Sequence, residues 1–569
     1  MPEHAATAIA HVFDAIEAEG VNPVWITLAD RHAAVERART VDPTLPLAGV
    51  SFAVKDNIDV AGMPTTAGCP AYAYVPRHTA TVVQRLLDAG AILIGKTNLD
   101  QFATGLVGVR SPYGACSNVF DARYIAGGSS SGSAVAVAKG LVAFALGTDT
   151  AGSGRVPAAF NDIVGLKPTR GLLSTTGVVP ACRSLDCVSI FAGSAAAAER
   201  VWRVAQGFDA ADPFSRTAAP GDGASPWLNG AFRFGVPRDE DLEFFGDVDA
   251  PRLYRTAVAR LEALGGTRVM IDFAPFREAA ALLYSGPWVA ERYAAVGEFV
   301  ASHVDDVHPV VGSIIRLAAS KSAADAYRGM YRLEALKRDA LKEWAGIDVL
   351  LLPTAGTIYT KEAIEADPLR LNTNLGYYTN FVNLMDLAAV SAPAGFRSDG
   401  LPFGVSLIGP AFSDAALLSL ASRFGGTAAP ATGDAPGCIH VAVVGAHLSG
   451  QPLNKQLTER GARLVQTCRT SPEYRFYALA NTTPPKPGLV REPGFDGPGI
   501  ALEIWAVPAQ HFGSFVAGVP PPLGIGSVQL DTGEWVKGFI CEPAGIAGAT
   551  DITEFRGWRG YLAAQCSTP

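Results

Sequence analysis

The stretch GGSSSGSAVAVAKGLVAFALGTDTAGSGR, residues 127–155, decides how this chain folds and where its chemistry lies. Two loops rich in Gly and Ser enclose a helix-like run of small residues and an apolar run, VAFALGT, typical of a buried strand. Glycines permit backbone turns that other residues resist, and they let a reacting group approach main-chain N–H donors. The stretch therefore predicts a helix and a strand between two loops that suit nucleophilic acyl chemistry.

The same alternation of helix and strand extends outward from this stretch. Residues 79–98 place Val82, Val83 and Leu86 at helical spacing before the apolar run 91–94. Further helices are predicted at 8–20, 191–205, 250–264 and 320–345, and buried strands at 347–352 and 404–408. This pattern favours an α/β domain built around a largely buried sheet.

A change in composition near residue 425 indicates a second domain. The segment GGTAAPATGDAPG, residues 425–437, has little apolar bulk and suits a domain boundary. After it, short strand-like runs alternate with Gly and Pro turns, which predicts a smaller β-rich domain. We therefore expect a catalytic domain at 1–425, a linker at 426–437 and a C-terminal domain at 438–569. The polar segment 207–230 is expected to cross the surface of the first domain.

Charge and composition exclude several classes of protein. The net charge of −8 is spread without basic runs, which disfavours nucleic-acid binding and favours a small substrate. No apolar run reaches the roughly 18 residues of a membrane helix, and the first residues lack a signal-peptide pattern. The eight cysteines form no CxxC pairs, so neither disulfides nor zinc are indicated. We expect a soluble cytoplasmic protein that needs no cofactor or metal.

A serine nucleophile needs a base, and the sequence offers a choice. Phosphate loops are also rich in glycine, but neither loop here follows GxxxxGK[ST] or GxGxxG. No histidine of the first 425 residues lies in the Gly/Ser region, although histidine is the usual base. Lys55 ends the apolar run GVSFAVKDN, where burial would lower its pKa. From these residues alone, a salt bridge of Lys55 with Asp56 or Asp59 is the favoured interpretation.

A family resemblance changes that balance. KDNIDVAGMPTTAG, GKTNLDQFATG, SPYGACSNV, GTDTAGSGR and GLKPTRG, with the spacing of Lys55, Ser129 and Ser153, resemble the amidase signature family over most of residues 25–425. The resemblance implies a mixed β-sheet covered by helices and hydrolysis of amides by a Ser–cis-Ser–Lys triad. It assigns Ser153 as the nucleophile, Ser129 as the cis-serine that relays the proton, and Lys55 as the base.

The resemblance also assigns supporting groups around the triad. It implies that the oxyanion hole is formed by four backbone N–H groups, those of Thr150, Ala151, Gly152 and Ser153. The neighbouring Ser130 and Ser131 are interpreted as structural residues that bond the turn and cap the next helix. Structural roles are likewise expected for Asp149 and Arg155, as a pair that braces the nucleophile loop, and for Thr148.

The whole chain is similar to the allophanate hydrolases, amidases that carry a smaller C-terminal domain. Their substrate, allophanate, is urea bearing a carboxylate, and the resemblance implies that Tyr284 and Arg292 grip that carboxylate. In YSGPWVAER, residues 284–292, Pro287 suits a helix start, with Ser285 near the cap, Tyr284 before the helix and Arg292 in its second turn. Without the resemblance, both residues fit an ordinary amphipathic helix.

The C-terminal domain is expected to resemble γ-glutamyl cyclotransferase. Removal of the terminal amide of allophanate gives ammonia and N-carboxycarbamate. In allophanate hydrolases the C-terminal domain is assigned the decarboxylation of that product, and His447 in VVGAHLSGQPLN, residues 443–454, is the implied acid or base. Glu503 stands where such domains carry an acidic residue, and His440 and His511 are alternatives to His447. Decarboxylation in water without the domain is the other possibility.

The resemblance to allophanate hydrolases also bears on partners. It implies a homodimer and a functional link to a urea carboxylase. The alternative is a general amidase whose C-terminal domain only assembles protomers or binds a partner.

Overall fold

The computed structural model describes residues 2–20, 23–217, 231–425, 438–480, 482, 484–531 and 533–565. The chain divides into two compact units, Met1–Thr427 and Ala428–Pro569. The expected linker at 426–437 lies outside the described residues, as does 218–230 of the expected surface crossing.

The first unit is built on one large sheet. Its strands are β1 Trp25–Leu28, β2 Ser51–Lys55, β3 Ile92–Thr97, β4 Phe144–Asp149, β5 Val164–Lys167, β6 Cys187–Ala192, β7 Phe232–Pro237, β8 Gly266–Ile271, β9 Val349–Pro353, β10 Leu387–Phe396 and β11 Pro402–Pro410. Among the described residues they are ordered β1-β3-β2-β4-β6-β5-β10-β11-β9-β7-β8. Strand β2 runs parallel to β3 and β4, whereas β4 runs antiparallel to β6, so the sheet is mixed, as expected.

Helices cover this sheet. They are α1 Pro2–Ala18, α2 Arg31–Thr40, α3 Thr81–Asp88, α4 Ser131–Ala138, α5 Val156–Phe160, α6 Ala195–Ala205, α7 Ala250–Ala263, α8 Ala274–Ser285, α9 Val289–Ser302, α10 Pro309–Leu317, α11 Ala323–Trp344, α12 Lys361–Ala366, α13 Arg370–Leu375, α14 Phe381–Leu384 and α15 Asp414–Phe424. The two helix–strand pairs predicted in 79–98 and 132–148 are α3 with β3 and α4 with β4. All other helices and strands predicted for this unit are present, with boundaries shifted by a few residues, except around residue 285.

The prediction that a helix starts at Pro287, with Arg292 in its second turn, is wrong, because Arg292 is the fourth residue of a helix that begins at Val289. Helix α8 continues to Ser285, so Tyr284 lies in its last turn and not before a helix. The Ser285 hydroxyl donates to the carbonyl of Ala281, and it caps nothing. Helix α9 begins only at Val289, because Gly286 and Pro287 end one helix before the next starts. The dipeptide that resembles a helix start is thus the break between two helices.

The second unit contains two small sheets. Its strands are β12 Cys438–Val443, β13 Arg463–Arg469, β14 Tyr474–Ala478, β15 Pro487–Arg491, β16 Ala501–Pro508, β17 Leu523–Gln529, β18 Trp535–Cys541 and β19 Thr550–Asp551, and its helices are α16 Lys455–Thr458, α17 Ala509–Val516 and α18 Trp558–Gln565. In the described residues the sheet orders are β13-β16-β12-β18-β17 and β15-β14-β19. The unit is therefore β-rich, as the run of short apolar segments predicts.

Burial of the central strands explains how the site is positioned. Strands β2 and β4 are neighbours, and apolar clusters pack on both faces of the sheet. Lys55 ends β2 and Asp149 ends β4, so both side chains lie at the same edge of two parallel strands. Within the described part of the chain, no helix is long and apolar enough to cross a membrane.

Candidate active site

Lys55 is fully buried at the end of β2 and is held by hydroxyl groups. Its Nζ donates to Ser129 Oγ at 2.8 Å and to Thr148 Oγ1 at 2.6 Å. No carboxylate in the described ranges lies within ion-pair distance of it. Burial lowers the pKa of Lys55 to about 7, against the opposing charges of Asp100, Asp186 and Asp149. A lysine with this pKa is substantially neutral near pH 7 and can accept a proton.

The salt bridge that Lys55 could have formed is absent because its two candidate partners are used elsewhere. Asp56 pairs with Lys96 at 3.1 Å, and both side chains are completely buried. Asp59 accepts hydrogen bonds from the hydroxyls of Thr65 and Tyr74, at 2.8 and 2.7 Å. The ion-pair interpretation of Lys55 is therefore wrong in this structure.

The peptide bond between Gly128 and Ser129 is cis, as the family resemblance implies. A Cβ on Gly128 would stand 2.2 Å from Asp100 Oδ2 and 2.5 Å from the nitrogen of Gly108, so only glycine fits. Asp100 in turn accepts the N–H groups of Gly108 and Arg110, each at 2.9 Å. Asp100 therefore organises the backbone that presents the Ser129 hydroxyl to Lys55.

Ser130 and Thr148 fix the far side of this loop. The Ser130 hydroxyl donates to the carbonyl of Thr148 at 3.1 Å and accepts its N–H at 3.3 Å. Ser130 occupies the N-cap position of α4 without making a side-chain cap bond. Its role is structural, as expected, but it joins the loop to β4 and does not cap the helix.

Ser153 lies in the loop that follows β4, and hydrogen bonds to the residues on either side of it hold the loop in place. Asp149 accepts the N–H groups of Gly152 at 2.9 Å and Gly154 at 3.1 Å, one on each side of Ser153. Arg155 binds both oxygens of Asp149, at 2.8 and 2.9 Å, and both side chains are buried. The pair therefore fixes the loop, as predicted. The Ser153 hydroxyl faces the carbonyl of Gly105 at 3.5 Å and has no hydrogen bond to Ser129 in the described structure.

Three of the four expected oxyanion donors are available. The N–H groups of Thr150, Ala151 and Ser153 donate to no other group in the described residues, and all three residues are buried. The N–H of Gly152 is already taken by Asp149. Buried N–H groups without a partner are costly, so these three are suited to an acceptor that arrives with the substrate.

Arg292 is buried beside this loop without a counter-ion. Its Nη1 donates to Thr104 Oγ1 at 3.0 Å, and its guanidinium carbon lies 5.7 Å from the ring centroid of Tyr284. No carboxylate among the described residues lies within 4 Å of it. Because Thr104 precedes Gly105, which faces Ser153, the guanidinium and the nucleophile contact adjacent residues. The structure thus brings Arg292, Tyr284 and Ser153 into one region.

Asp186 is a buried carboxylate at the edge of the same region. It accepts hydrogen bonds from Thr150 Oγ1 and from the N–H groups of Ala181 and Cys182. Burial raises the pKa of Asp186, and its hydrogen bonds only partly oppose this. Asp186 therefore anchors the loop that carries the oxyanion donors.

His447 lies in the second unit, where it lines a cavity. Its Nε2 is 3.0 Å from Gln456 Oε1, and its ring stacks on Phe539 with centroids 4.9 Å apart. Burial lowers the pKa of His447, which keeps the ring neutral near pH 7. Glu503 does not line this cavity. It is buried, accepts the N–H of Ser449 at 2.8 Å and pairs with Arg559 at 2.9 Å, so it holds the loop that carries His447.

His440 and His511 lie outside the cavity, His440 on β12 and His511 on α17. The described residues contain no cluster of three His, Cys, Asp or Glu side chains that could hold a metal ion.

Comparison with known proteins decides the family. The Amidase family model matches residues 15–418, and the Allophanate hydrolase C-terminal domain model matches residues 439–563. The chain belongs to the amidase family. It is a hydrolase that acts on amide bonds.

Relatives and solved structures of this amidase extend over both units. It is 44% identical over 595 residues to the urea amidolyase of Lachancea kluyveri, covering 99% of this chain and 32% of that protein. It is 34% identical over 458 residues to a glutamyl-tRNA(Gln) amidotransferase chain of Methanosarcina acetivorans, covering 74% and 93%. The structure of Kluyveromyces lactis allophanate hydrolase matches with a TM-score of 0.73 and 43% identity, covering 98% and 97%. The amidase thus spans about a third of the urea amidolyase that it matches.

The sequence contains no pattern from which the contacts of two residues of the amidase site, Thr104 and Asp186, could be predicted. Thr104 stands inside the motif GKTNLDQFATG, but its contact with Arg292 joins positions 188 residues apart. Asp186 follows no local pattern, and its partner Thr150 is 36 residues away. Sequence reasoning misses both because only the folded chain brings these partners together.

Proposed function

We propose that this amidase hydrolyses allophanate, with Arg292 binding the substrate carboxylate. The observation that carries the proposal is the buried guanidinium of Arg292, which has no carboxylate partner among the described residues. It donates to Thr104, the residue before Gly105, whose carbonyl the Ser153 hydroxyl faces. Burying a cation without an anion beside it costs free energy, so a bound anion would stabilise Arg292. A guanidinium matches a carboxylate in a bidentate geometry. The similarity to K. lactis allophanate hydrolase supports the same substrate.

The proposed reaction begins with proton transfer through hydroxyl groups. Neutral Lys55 takes a proton from Ser129, which takes one from Ser153 as its oxygen attacks the terminal amide carbon. The N–H groups of Thr150, Ala151 and Ser153 stabilise the negative oxygen of the tetrahedral intermediate. The C–N bond then breaks, and the proton held by Lys55 returns through Ser129 to the leaving nitrogen, which departs as ammonia.

Water completes the cycle by the same route. Lys55 removes a proton from a water molecule, which attacks the acyl group on Ser153. The bond from the acyl carbon to the Ser153 oxygen then breaks, the proton returns from Lys55 through Ser129 to that oxygen, and N-carboxycarbamate leaves. Tyr284 packs beside Arg292, with its ring centroid 5.7 Å from the guanidinium carbon. The first half-reaction therefore consumes one water and yields one ammonia.

Ammonia release tests the substrate. Wild-type protein is expected to release ammonia from allophanate far faster than from malonamide, which is similar in size and lacks the charge. Arg292→Met should remove this preference by raising KM for allophanate, whereas Ser153→Ala should abolish both activities. If Arg292→Met slows both substrates equally, the protein is a general amidase and Arg292 has a structural role.

We further propose that the C-terminal unit decarboxylates N-carboxycarbamate, with His447 supplying the proton. The C–N bond to one carboxylate breaks, its electron pair stays on nitrogen, and nitrogen takes the proton, giving carbon dioxide and carbamate. His447→Gln should leave ammonia release unchanged and delay carbon dioxide release. Equal carbon dioxide release by both proteins would mean that the unit serves only in assembly.

Two partner assignments complete the proposal. The urea amidolyases match this chain over about a third of their own length, which supports a urea-carboxylating enzyme or domain as the source of allophanate. We also propose a homodimer, the state that the resemblance to allophanate hydrolases implies. Sedimentation of the protein tests the homodimer, which a single monomeric species would refute. Ammonia release from urea, ATP and bicarbonate tests the source of allophanate, and no release when urea carboxylase is added would refute it.

A further inference from the structure

The segment 372–380 links the two sides of the amidase site. It contains the end of α13, a turn and the last residue before α14. At one end, Asn372 Oδ1 accepts the N–H of Leu106 at 2.8 Å. At the other end, the carbonyl of Thr379 accepts two hydrogen bonds from the guanidinium of Arg155, each at 3.2 Å. The segment therefore joins the backbone beside Leu106 to the loop that carries the nucleophile.

The Thr379 hydroxyl lies against the nucleophile loop. A Cβ on Gly152 would stand 2.4 Å from Thr379 Oγ1, so the two can approach this closely only because residue 152 is a glycine. Gly152 also has a φ of +134°, which other residues rarely adopt. Since Gly152 directly precedes Ser153, Thr379 places a hydroxyl group beside the backbone of the nucleophile.

This hydroxyl has no hydrogen-bond partner in the described part of the protein, although the Thr379 side chain is completely buried. The next residue, Asn380, is likewise buried, and its Oδ1 has no partner among the described residues. A buried polar group without a partner costs free energy, and such groups are rare in folded proteins. Valine has the shape of threonine and would avoid this cost. A hydrogen-bonding group that arrives with the substrate would account for the hydroxyl.

The substrate proposed for this site brings an N–H group that needs an acceptor. In allophanate, one inner nitrogen joins the carboxylate to the terminal amide and carries a single hydrogen. The carbonyl of Gly105 faces the Ser153 hydroxyl and so lies beside the amide that is cleaved. Thr104 Oγ1 and Asp186 already accept hydrogen bonds from the protein. The hydroxyl oxygen of Thr379 has free lone pairs and can accept the inner N–H.

We infer that Thr379 is a specificity-determining residue, whose hydroxyl oxygen accepts the inner N–H of a ureido substrate held between Arg292 and Ser153. The identity of that substrate as allophanate rests on the proposed function. A site built to bond an N–H group discriminates against an analogue that lacks it. Malonamate is such an analogue, because a CH2 group replaces the inner N–H of allophanate and the rest of the molecule is unchanged. The amidase thus distinguishes ureido compounds from malonyl compounds of the same shape through Thr379.

Ammonia release from allophanate and from malonamate by the full chain tests this inference. Thr379→Val removes the hydroxyl and keeps the shape of the side chain. It should lower kcat/KM for allophanate about fivefold to tenfold, the contribution of one neutral hydrogen bond, and leave kcat/KM for malonamate unchanged. Thr379→Ser keeps the hydroxyl and should keep the wild-type values. Because each variant is compared with wild type on the same substrate, the different reactivities of the two amides cancel.

A buried threonine whose hydroxyl is bonded within the protein is the matched control. Thr354 is completely buried, and its Oγ1 is 3.1 Å from Ser391 Oγ and 2.9 Å from Ser406 Oγ. Thr354→Val should lower the thermal unfolding temperature and change kcat/KM for both substrates by the same factor. Thr379→Val breaks no side-chain hydrogen bond of the described residues, so its unfolding temperature should not fall.

An equal loss on both substrates in Thr379→Val, or no loss on either, would overturn the inference. Failure of the wild-type protein to release ammonia from allophanate would instead refute the proposed function. Biuret and malonamide, two uncharged amides that differ by the same N–H and CH2 groups, then test Thr379 without allophanate. A selective loss on biuret would support the inference, and equal effects on the two amides would overturn it.

Discussion

Replacing Thr104 by valine tests whether the carboxylate-binding arginine must be oriented. Thr104 Oγ1 accepts from Arg292 Nη1 at 3.0 Å, and the only other contact of that nitrogen in the described structure is the carbonyl of Ala103 at 3.5 Å. A hydrogen bond to a charged group contributes about 1.5–3 kcal/mol. Because Ala103 retains part of the interaction, we expect a loss near the lower value, which is about tenfold in affinity.

The assay is steady-state ammonia release from allophanate and from malonamide. Thr104→Val should raise KM for allophanate about tenfold, leave kcat nearly unchanged, and leave both constants for malonamide unchanged, because valine keeps the shape of threonine. Thr104→Ser restores the hydroxyl and should restore KM. Thr104 also donates to the carbonyl of Phe102 at 3.1 Å, so thermal unfolding is measured to detect a general loss of stability. Equal losses on both substrates would refute an orienting role.

Three other predictions concern the proton relay and its support. Since the pKa of Lys55 is about 7 and its neutral form is required, kcat/KM should fall about tenfold per pH unit below pH 7 and be constant above it; a profile flat from pH 5 to 8 would contradict this. Asp149→Asn leaves Arg155 buried without a counter-ion and should destabilise the first unit by about 3–5 kcal/mol, measured by chemical denaturation, with no change in midpoint as the contrary result. Gly128→Ala places a methyl group against Asp100 and should abolish ammonia release, while Gly193→Ala, at an exposed glycine whose added methyl group would have no neighbour within 4 Å, should retain it.

The sequence predicts those parts of the structure that are determined by residues adjacent in the chain. The apolar runs that end at Lys55 and Asp149 are strands because their side chains are buried on both faces. The loop that contains Ser129 could be located from its glycines, but choosing Ser129 over its two neighbours required the family resemblance. Gly286 and Pro287 fit either the start or the end of a helix, and only packing of both flanking helices decides between them.

Residues whose function depends on distant partners are not predictable in this way. The salt bridge expected for Lys55 fails because Lys96, on the adjacent strand β3, takes Asp56. Thr104 accepts a hydrogen bond from Arg292, 188 residues further along the chain, and no motif links the two. Such pairings are set by sheet order and by close packing, which local periodicity does not encode.

The amidase site separates its proton acceptor from its fixed positive charge. Burial favours the neutral form of Lys55 near pH 7, while the permanent positive charge belongs to Arg292. This separation has a physical reason, because a cation that also bound the carboxylate would be held in its charged form and could not accept a proton. An anionic substrate therefore meets its charge partner at one group and its base or acid at another. Burial lowers the pKa of Lys55, and the nearby charge of Arg292 lowers it further, so the fixed cation also favours the neutral form of the base.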